Sequence, residues 1–563
     1  MPEYLRTPYH LSSPTLGYLE GVTLSSPASS SRAGTQPASQ PQPQPLTHYF
    51  GGLPYALPPT GPHRFRPPRP LPPSLLHGTA RKPANFTRSA AFCPQPVRGP
   101  ITPDLWNEDC LQLNIHIPAG SPPREAGWPV FFFLHGGFLQ WGSPNESAEA
   151  LVPLVGETGF GGIVVMPAYR VNCFGFLASR ELAAELTAEG VNGVGNYGFW
   201  DQRCALEWTA KYIGVFGGDG GNITVGGYSA GAHSAFQQLA HELYFVGERE
   251  RQVIRRVIMW SNSPGVQPKG VGEQQVQFDE FLSRLGIGLE LTAGQKLERL
   301  RGLTPGELVA PLNCMRVSEF RATTDGFFVS EKMIENINSG DFGRRMKERG
   351  IRLLNGECRD ERTLYRTWRT PADSFDAVYA RLCADYPEPA VKKLMGHYCG
   401  GVGAKNLPRG CKDWIEAFGT LYADMQVHCL ERGFIAGLAR GGLEPGKDIL
   451  RYRFEWRAST VPFPIEWGVT HASDMDIWFW GGGHGEGLQG DEKVVLRFWN
   501  EAFAGFVRGE DVVWPCSDVR EVLRLRSDGV TDVWWDERWE EGCEVWGAVN
   551  RGVGMGSLVK AKF

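Results

Sequence analysis

The chain has 563 residues, 42% of them hydrophobic, which is enough for one large globular domain or for several smaller ones. A formal net charge of −5 and the lack of a basic patch argue against a nucleic-acid-binding protein. No apolar run approaches the roughly 18 residues that a membrane-spanning helix needs, which argues against an integral membrane protein.

The first 45 residues contain no export signal that we recognise. They also include one segment whose composition does not predict a folded structure. The N-terminus lacks a basic start followed by an apolar stretch, so we expect a cytoplasmic protein; secretion is the alternative if the start is wrongly assigned. Residues 25–45 are rich in Ser, Pro and Gln and cannot bury enough apolar surface to fold. We predict a disordered loop there.

Short apolar runs alternate with helical patterns along the rest of the chain. The runs that predict strands are VFFFLHGG, GGIVVMPAY, NITVGG, RRVIMWSN, IRLLNG and ILRYRFEW. Helical stretches such as residues 230–245 lie between them. This alternation predicts an α/β fold with a large, mostly parallel central sheet and helices on both faces. In such sheets functional residues follow the carboxyl ends of the strands.

The strand at residues 130–134 ends in His135-Gly136-Gly137-Phe138. Consecutive glycines allow backbone N–H groups to converge on a developing oxyanion, although an ordinary Gly-Gly turn is the alternative. Because this turn ends an apolar strand upstream of a candidate serine, we favour an oxyanion hole, with the amide of Ala230 as a further donor.

The candidate serine lies in Gly227-Tyr228-Ser229-Ala230-Gly231, which fits the G-x-S-x-G pattern of a nucleophile on a tight turn. In a chain with 70 Gly, roughly 0.4 matches are expected by chance, so the motif alone is weak. Here a strand precedes it and a helix follows it, which is the context that the motif requires. We therefore predict that Ser229 is a nucleophile.

A serine nucleophile needs a base and an acid, and in α/β-hydrolases both follow it in the chain. Glu357, Asp360 and Glu361 follow the strand IRLLNG, and composition alone does not choose among them. His471 follows the strand ILRYRFEW and is the better candidate base. Its rival, His484, lies in a glycine-rich segment that would hold an imidazole poorly.

Four longer motifs extend this pattern: YFGGLPYALPPTGPHRF, EDCLQLNI, NYGFWDQRCALEW and FGGDGGNITVGGYSAG. They resemble motifs of the type-B carboxylesterase and lipase family, the cholinesterase-like branch of the α/β-hydrolases, and the last fits the family's serine signature at every defined position. The resemblance extends from about residue 18 to about residue 549. It implies a single α/β-hydrolase domain over residues 1–563, with helical insertions from residues 265–345 and 372–445 over an active-site gorge.

The resemblance also implies site residues. LLNGECRDER is similar to the family's acid segment and GVTHASDMDIWFW to its histidine segment. The implied triad is Ser229, Glu361 and His471, the implied oxyanion donors are the amides of Gly137, Phe138 and Ala230, and the implied disulfide is Cys93–Cys110. No metal or organic cofactor is expected.

The chain departs from the family pattern at three site positions and in the length of the 25–45 loop. Tyr228 replaces the usual Glu before the nucleophile, Phe138 replaces the third Gly of H-G-G-G, and Arg362 replaces the Gly after the acid. None of these changes removes a triad member. We expect Gly136, Leu139, Trp141 and Tyr228 to line an apolar, aromatic pocket near the scissile bond.

The sequence therefore predicts a serine hydrolase that cleaves small carboxylic esters with an apolar acyl or alcohol group, through an acyl-enzyme. A lipase, and a lactone or thioester hydrolase or acyltransferase of secondary metabolism, use the same triad and stay open. A catalytically silent binding protein is a more remote alternative, because the implied triad is intact. The sequence does not indicate an oligomeric state.

Overall fold

A computed structural model describes residues 4–26, 43–99, 101–247, 252–482 and 487–550. Its strands are β1 (Leu5–Ser13), β2 (Gly17–Ser25), β3 (Pro45–Pro54), β4 (Ala56–Leu57), β5 (Arg69–Pro70), β6 (Ala84–Asn85), β7 (Gln112–Pro118), β8 (Trp128–Leu134), β9 (Ile163–Pro167), β10 (Gly218–Tyr228), β11 (Ile254–Trp260), β12 (Arg352–Cys358), β13 (Ile449–Phe454), β14 (Glu521–Leu525) and β15 (Thr531–Trp535).

The helices lie between and after the strands. They are α1 (Val152–Glu157), α2 (Asn172–Phe176), α3 (Arg180–Ala188), α4 (Tyr197–Tyr212), α5 (Ala230–Tyr244), α6 (Val271–Arg284), α7 (Ala293–Gly302), α8 (Pro305–Val309), α9 (Met333–Asn338), α10 (Asp341–Glu348), α11 (Arg362–Tyr365), α12 (Phe375–Asp385), α13 (Glu388–Tyr398), α14 (Trp414–Gln426), α15 (His428–Arg440), α16 (Met475–Trp478), α17 (Glu492–Arg508) and α18 (Trp539–Asn550). Short 3-10 turns lie at Gly61–His63, Pro103–Leu105, Ile213–Phe216, Ala310–Asn313 and Ile465–Trp467.

One large sheet organises the described residues. Its strands lie in the order β1-β2-β3-β7-β9-β8-β10-β11-β12-β13-β14-β15, and β6 pairs with β2. All neighbours from β9 to β14 are parallel, and the pairs toward both edges are antiparallel. The predicted α/β fold with a mostly parallel sheet is therefore confirmed.

The central strands are apolar throughout because side chains on both faces are buried. In β8, Val130, Phe132 and Leu134 belong to one core cluster. Phe131 and Phe133 belong to a second cluster on the opposite face. Helices cover both faces, so the usual alternation of apolar and polar residues is lost and a continuous hydrophobic run takes its place.

The carboxyl ends of five parallel strands meet along one edge. The register pairs Leu134 with Gly227, Tyr228 with Trp260, Trp260 with Gly356 and Gly356 with Tyr452. The oxyanion turn, the candidate serine and the candidate acid follow three of these strands directly. The candidate base lies in the loop after β13, so the topology brings the predicted triad and oxyanion residues to one edge.

Helices from the two predicted insertions lie over this edge. The first insertion forms α6 to α10 and the second forms α12 to α15, and both contribute residues to a cavity beside Ser229. Among the described residues, no helix combines the length and the apolar character that crossing a bilayer requires.

Two predictions concern residues that the structure does not describe. The disordered loop was predicted over residues 25–45, but Ser25 ends β2 and Pro45 begins β3. Residues 27–42 lie outside the described residues, as does His484, the rival to His471.

Candidate active site

Ser229 occupies a strained turn between β10 and α5. Its backbone has φ 56° and ψ −127°, a conformation that non-glycine residues rarely adopt. The turn is tight because a Cβ atom on Gly227 would lie 2.5 Å from the Leu134 carbonyl oxygen, and one on Gly231 would lie 2.0 Å from the same atom. Only glycine fits at these two positions, which explains the spacing of the motif.

The candidate base and acid are hydrogen-bonded to each other. His471 Nδ1 lies 2.6 Å from Glu361 Oε2, and both side chains are buried. The backbone N–H of Cys358 donates to Glu361 Oε1 at 2.8 Å and so orients the carboxylate. Because a carboxylate only accepts, the Nδ1 atom carries the proton and Nε2 is left as an acceptor. In the described part of the chain, Nε2 makes no hydrogen bond.

The two other carboxylates considered from the sequence have different surroundings. Glu357 is buried beside the guanidinium groups of Arg432, at 3.1 Å, and Arg453, and one of its carboxylate oxygens lies 2.6 Å from His428 Nδ1. Burial opposes its ionisation, but Arg432 and the other cations outweigh burial and hold the pKa of Glu357 well below its ordinary value. Asp360 is partly exposed and accepts from the Val469 amide at 2.9 Å. Neither carboxylate bonds to His471.

A further carboxylate, Asp474, lies close to the triad candidates. It is fully buried and accepts a hydrogen bond from the Tyr452 hydroxyl at 2.7 Å. Burial, together with the nearby Glu361, raises the pKa of Asp474 to about 6. The sequence marks this residue only as part of the histidine segment, three positions after His471.

The oxyanion turn after β8 has an unusual backbone. Gly137, Phe138 and Leu139 have φ values of 110°, 58° and 61°, so three consecutive residues turn with positive φ. The turn is closed by bonds from the Gln140 and Trp141 amides to the Gly137 carbonyl, at 2.9 and 3.1 Å. The amides of Gly137, Phe138 and Ala230 donate to no acceptor among the residues that the structure describes. They are available to an external oxygen.

Arg321 fastens this turn from outside. Its guanidinium donates to the Phe138 carbonyl and lies 5.8 Å from the centre of the Phe138 ring. Gln140 Nε2 donates to the same carbonyl at 3.2 Å. Arg321 is in turn paired with Asp385 at 2.5 Å. No motif indicates Arg321 in the sequence, because it comes from an insertion and meets the turn only in the folded chain.

A cavity that opens to solvent lies beside Ser229. Leu139, Val266 and Met425 give it an apolar part, and Lys269, Arg321 and Asp385 give it a charged part. Phe138 and Leu139 border the cavity, in keeping with the apolar, aromatic pocket expected from the sequence, but the charged side chains were not expected. They come from the insertions, whose contribution cannot be judged from local sequence and which supply most of the wall.

Of the four residues expected to line a pocket, Leu139 borders this cavity and Gly136, Trp141 and Tyr228 do not. The Tyr228 ring packs against Gly136, where a Cβ atom would lie 2.8 Å from it. Tyr228 ends β10, and its side chain packs against the core cluster that contains Phe131 and Phe133. Its ring centre is 5.9 Å from that of His471. It contacts the base rather than the cavity.

A disulfide joins Cys93 and Cys110, as the family resemblance implied. It closes a loop of residues that lies beside the oxyanion turn, because Gln95 within this loop accepts from the Gly142 amide at 2.7 Å. The covalent link reduces the freedom of the unfolded chain in this segment.

Known proteins are similar to this chain in sequence and in fold. The profile of the Carboxylesterase family matches residues 33–513. A carboxylic ester hydrolase of Gibberella moniliformis is 51% identical over 98% of this chain and 97% of its own length. An uncharacterized esterase/lipase of Schizosaccharomyces pombe is 36% identical over 88% of this chain and 91% of its own length.

A solved structure, PNB esterase, superposes with a TM-score of 0.69 at 24% identity and covers 96% of this chain and 100% of its own. At this identity the superposition shows the fold alone. The family match covers most of the chain, and it agrees with the predicted class of enzyme, a carboxylic ester hydrolase. The chain therefore belongs to the carboxylesterase family.

Proposed function

We propose that this protein hydrolyses carboxylic esters of small molecules through a covalent acyl-enzyme on Ser229. The observation that carries the proposal is the buried hydrogen bond between Glu361 and His471, which leaves Nε2 as an acceptor at the sheet edge that also bears the strained serine. Membership of the carboxylesterase family supports the same reaction.

In the first half of the reaction, His471 Nε2 accepts the proton of Ser229 as the serine oxygen bonds to the ester carbonyl carbon. Glu361 stabilises the imidazolium that forms. The carbonyl oxygen gains the negative charge and accepts hydrogen bonds from the free amides of Gly137, Phe138 and Ala230. The carbon–oxygen bond to the alcohol then breaks, and His471 returns its proton to the leaving oxygen.

In the second half, water takes the place of the alcohol. His471 removes a proton from the water as its oxygen bonds to the acyl carbon, and the tetrahedral intermediate collapses to free acid and Ser229. The strained backbone at Ser229 holds the oxygen at the N-terminus of α5, where the unpaired amides of the first turn favour negative charge.

The residues that line the cavity favour esters with short acyl groups over esters with long acyl chains. The apolar part of the cavity, at Leu139, Val266 and Met425, suits a short hydrocarbon group, whereas a long one would also meet the charged side chains of the wall and strip water from them. We infer that one side of the substrate is apolar and short.

The test compares p-nitrophenyl esters from acetate to palmitate on three proteins: wild type, Ser229→Ala and, as control, Ser283→Ala, whose exposed serine lies in α6. We expect the wild type and the control to hydrolyse acetate and butyrate alike, and Ser229→Ala to lose at least about 10³-fold in kcat. Equal rates in wild type and Ser229→Ala would refute the proposal. A preference for palmitate would indicate a lipase.

A further inference from the structure

Tyr365 lies against the candidate base without belonging to any motif. It ends α11, one helical turn after Glu361, and its side chain is completely buried. Its ring centre is 4.6 Å from that of His471, at an angle of 44°. On another side its ring meets the ring of Phe138 edge to face, at 6.0 Å. Tyr365 therefore lies between the base and the oxyanion turn.

The hydroxyl of Tyr365 is removed from solvent and makes no hydrogen bond of full geometry among the described residues, but the Ser229 side chain lies close enough to interact with it as a hydrogen-bond partner. Buried hydroxyls are almost always paired, so one whose polar neighbour is the candidate nucleophile calls for an explanation. Burial raises the pKa of this hydroxyl well above its ordinary value, Glu361 raises it further, and hydrogen bonding to the Ser229 side chain opposes the rise. The group thus stays protonated and is a hydrogen-bond donor at any working pH.

The Tyr365 hydroxyl is a hydrogen-bond donor beside Ser229 and His471. The carbonyl oxygen and the alcohol-side oxygen of an ester must both come close to these two residues during the reaction. Of those oxygens, the carbonyl oxygen is accounted for by the backbone amides. The alcohol-side oxygen must approach His471 Nε2 to receive its proton, and the Tyr365 ring packs on that imidazole. A hydrogen bond to this oxygen would stabilise the charge that develops as the alcohol leaves.

We propose that Tyr365 is a further catalytic residue, whose hydroxyl donates a hydrogen bond to the alcohol-side oxygen in the transition state for its departure. The proposal rests on the acyl-enzyme mechanism given above. Tyr365 transfers no proton; His471 supplies the one that the leaving oxygen takes. The donor matters most where the leaving alcohol is a poor one, because a stable leaving group such as p-nitrophenolate needs little help.

The test is Tyr365→Phe, which removes only the hydroxyl, with Tyr197→Phe as the matched control. Tyr197 in α4 is equally buried, and its hydroxyl likewise makes no hydrogen bond of full geometry among the described residues; its polar neighbour is the Gly195 backbone and not Ser229 or His471. The value of kcat/KM, which reports formation of the acyl-enzyme, is measured for ethyl butyrate and for p-nitrophenyl butyrate. The two substrates share one acyl group and differ in the leaving alcohol.

We expect Tyr365→Phe to lose about 10- to 100-fold in kcat/KM on ethyl butyrate and less than about threefold on p-nitrophenyl butyrate, with Tyr197→Phe unchanged on both. The retained activity on the second ester also shows that the variant is folded. No loss on either ester, or an equal loss on both, would overturn the proposal. Failure of the proposed mechanism would instead appear as wild type no faster than Ser229→Ala on both esters.

Discussion

Replacing Gly231 with Ala should separate the oxyanion turn from Ser229. The new Cβ atom would lie 2.0 Å from the carbonyl oxygen of Leu134, whereas an ordinary contact begins at 3.4 Å, so the carbonyl must retreat by about 1.4 Å. Leu134 ends β8 and directly precedes the turn that carries the free amides of Gly137 and Phe138. Its displacement would carry these amides away from the developing oxyanion.

The size of the effect follows from this distance. A misplacement of about 1 Å in a catalytic geometry costs on the order of 10²-fold in rate, so we expect kcat/KM to fall by about that factor. Forcing an extra methyl group into a packed site should also lower the free energy of unfolding by about 1–3 kcal/mol. Both losses have the same cause, because the Leu134 carbonyl belongs to a packed strand and cannot move without displacing its neighbours.

The assay combines hydrolysis of p-nitrophenyl butyrate with urea unfolding. Gly294→Ala is the control, because this glycine lies in the first turn of α7 and, among the described residues outside its own stretch of helix, no atom lies within 4 Å of where the Cβ atom would be. That variant should keep full activity and gain up to about 1 kcal/mol in stability. If Gly231→Ala kept kcat/KM within twofold of wild type at unchanged stability, the close approach of β8 and α5 would not control the site.

Three further predictions concern the acid, the clamp on the oxyanion turn and a buried histidine. Glu361→Gln should lower kcat by about 10³- to 10⁴-fold and Asp360→Asn by less than about threefold. The reverse order would show that Asp360, and not Glu361, is the acid of the triad. Arg321→Met should lower kcat by about tenfold or more with little change in KM, because the Phe138 carbonyl loses the hydrogen bond that holds the oxyanion turn in place. An unchanged kcat in steady-state kinetics would refute this prediction. Burial lowers the pKa of His116 from 6.5 to about 3, so below pH 6.5 the unfolded chain binds a proton that the folded chain does not. Between pH 7 and pH 5 this group should lower the free energy of unfolding by about 2 kcal/mol, and urea melts of His116→Phe should lack this part of the loss.

Local sequence was informative where a motif describes a local structure. The pattern around Ser229 predicts a strand, a turn and a helix, and the structure has β10 ending at Tyr228 and α5 beginning at Ala230. Such motifs can be read without the fold because glycines and apolar runs restrict the nearest few residues directly. The choice of Glu361 over Glu357 and Asp360 came from the family resemblance and not from composition.

The cavity and the supports of the site depended on contacts distant in sequence. Arg321 reaches Phe138 across 183 positions, and Lys269 lines the cavity through bonds to the carbonyls of Cys383 and Ala384. No local pattern reports such contacts, because each partner alone is an ordinary charged or polar residue. This is also why the charged side chains of the cavity wall were not expected from the sequence.

The sequence by itself determined the fold class, the nucleophile turn and the glycines of the oxyanion turn, because these follow from hydrophobic periodicity and from backbone geometry within a few residues. Only the tertiary structure decided which groups surround the reacting atoms. The burial of Tyr365 beside Ser229 and His471 depends on how separate elements pack at the sheet edge. The position of Tyr228 against His471 instead of in the cavity depends on the same packing. Packing of that kind is a property of the whole chain, since it is set by the sum of many weak contacts between distant segments.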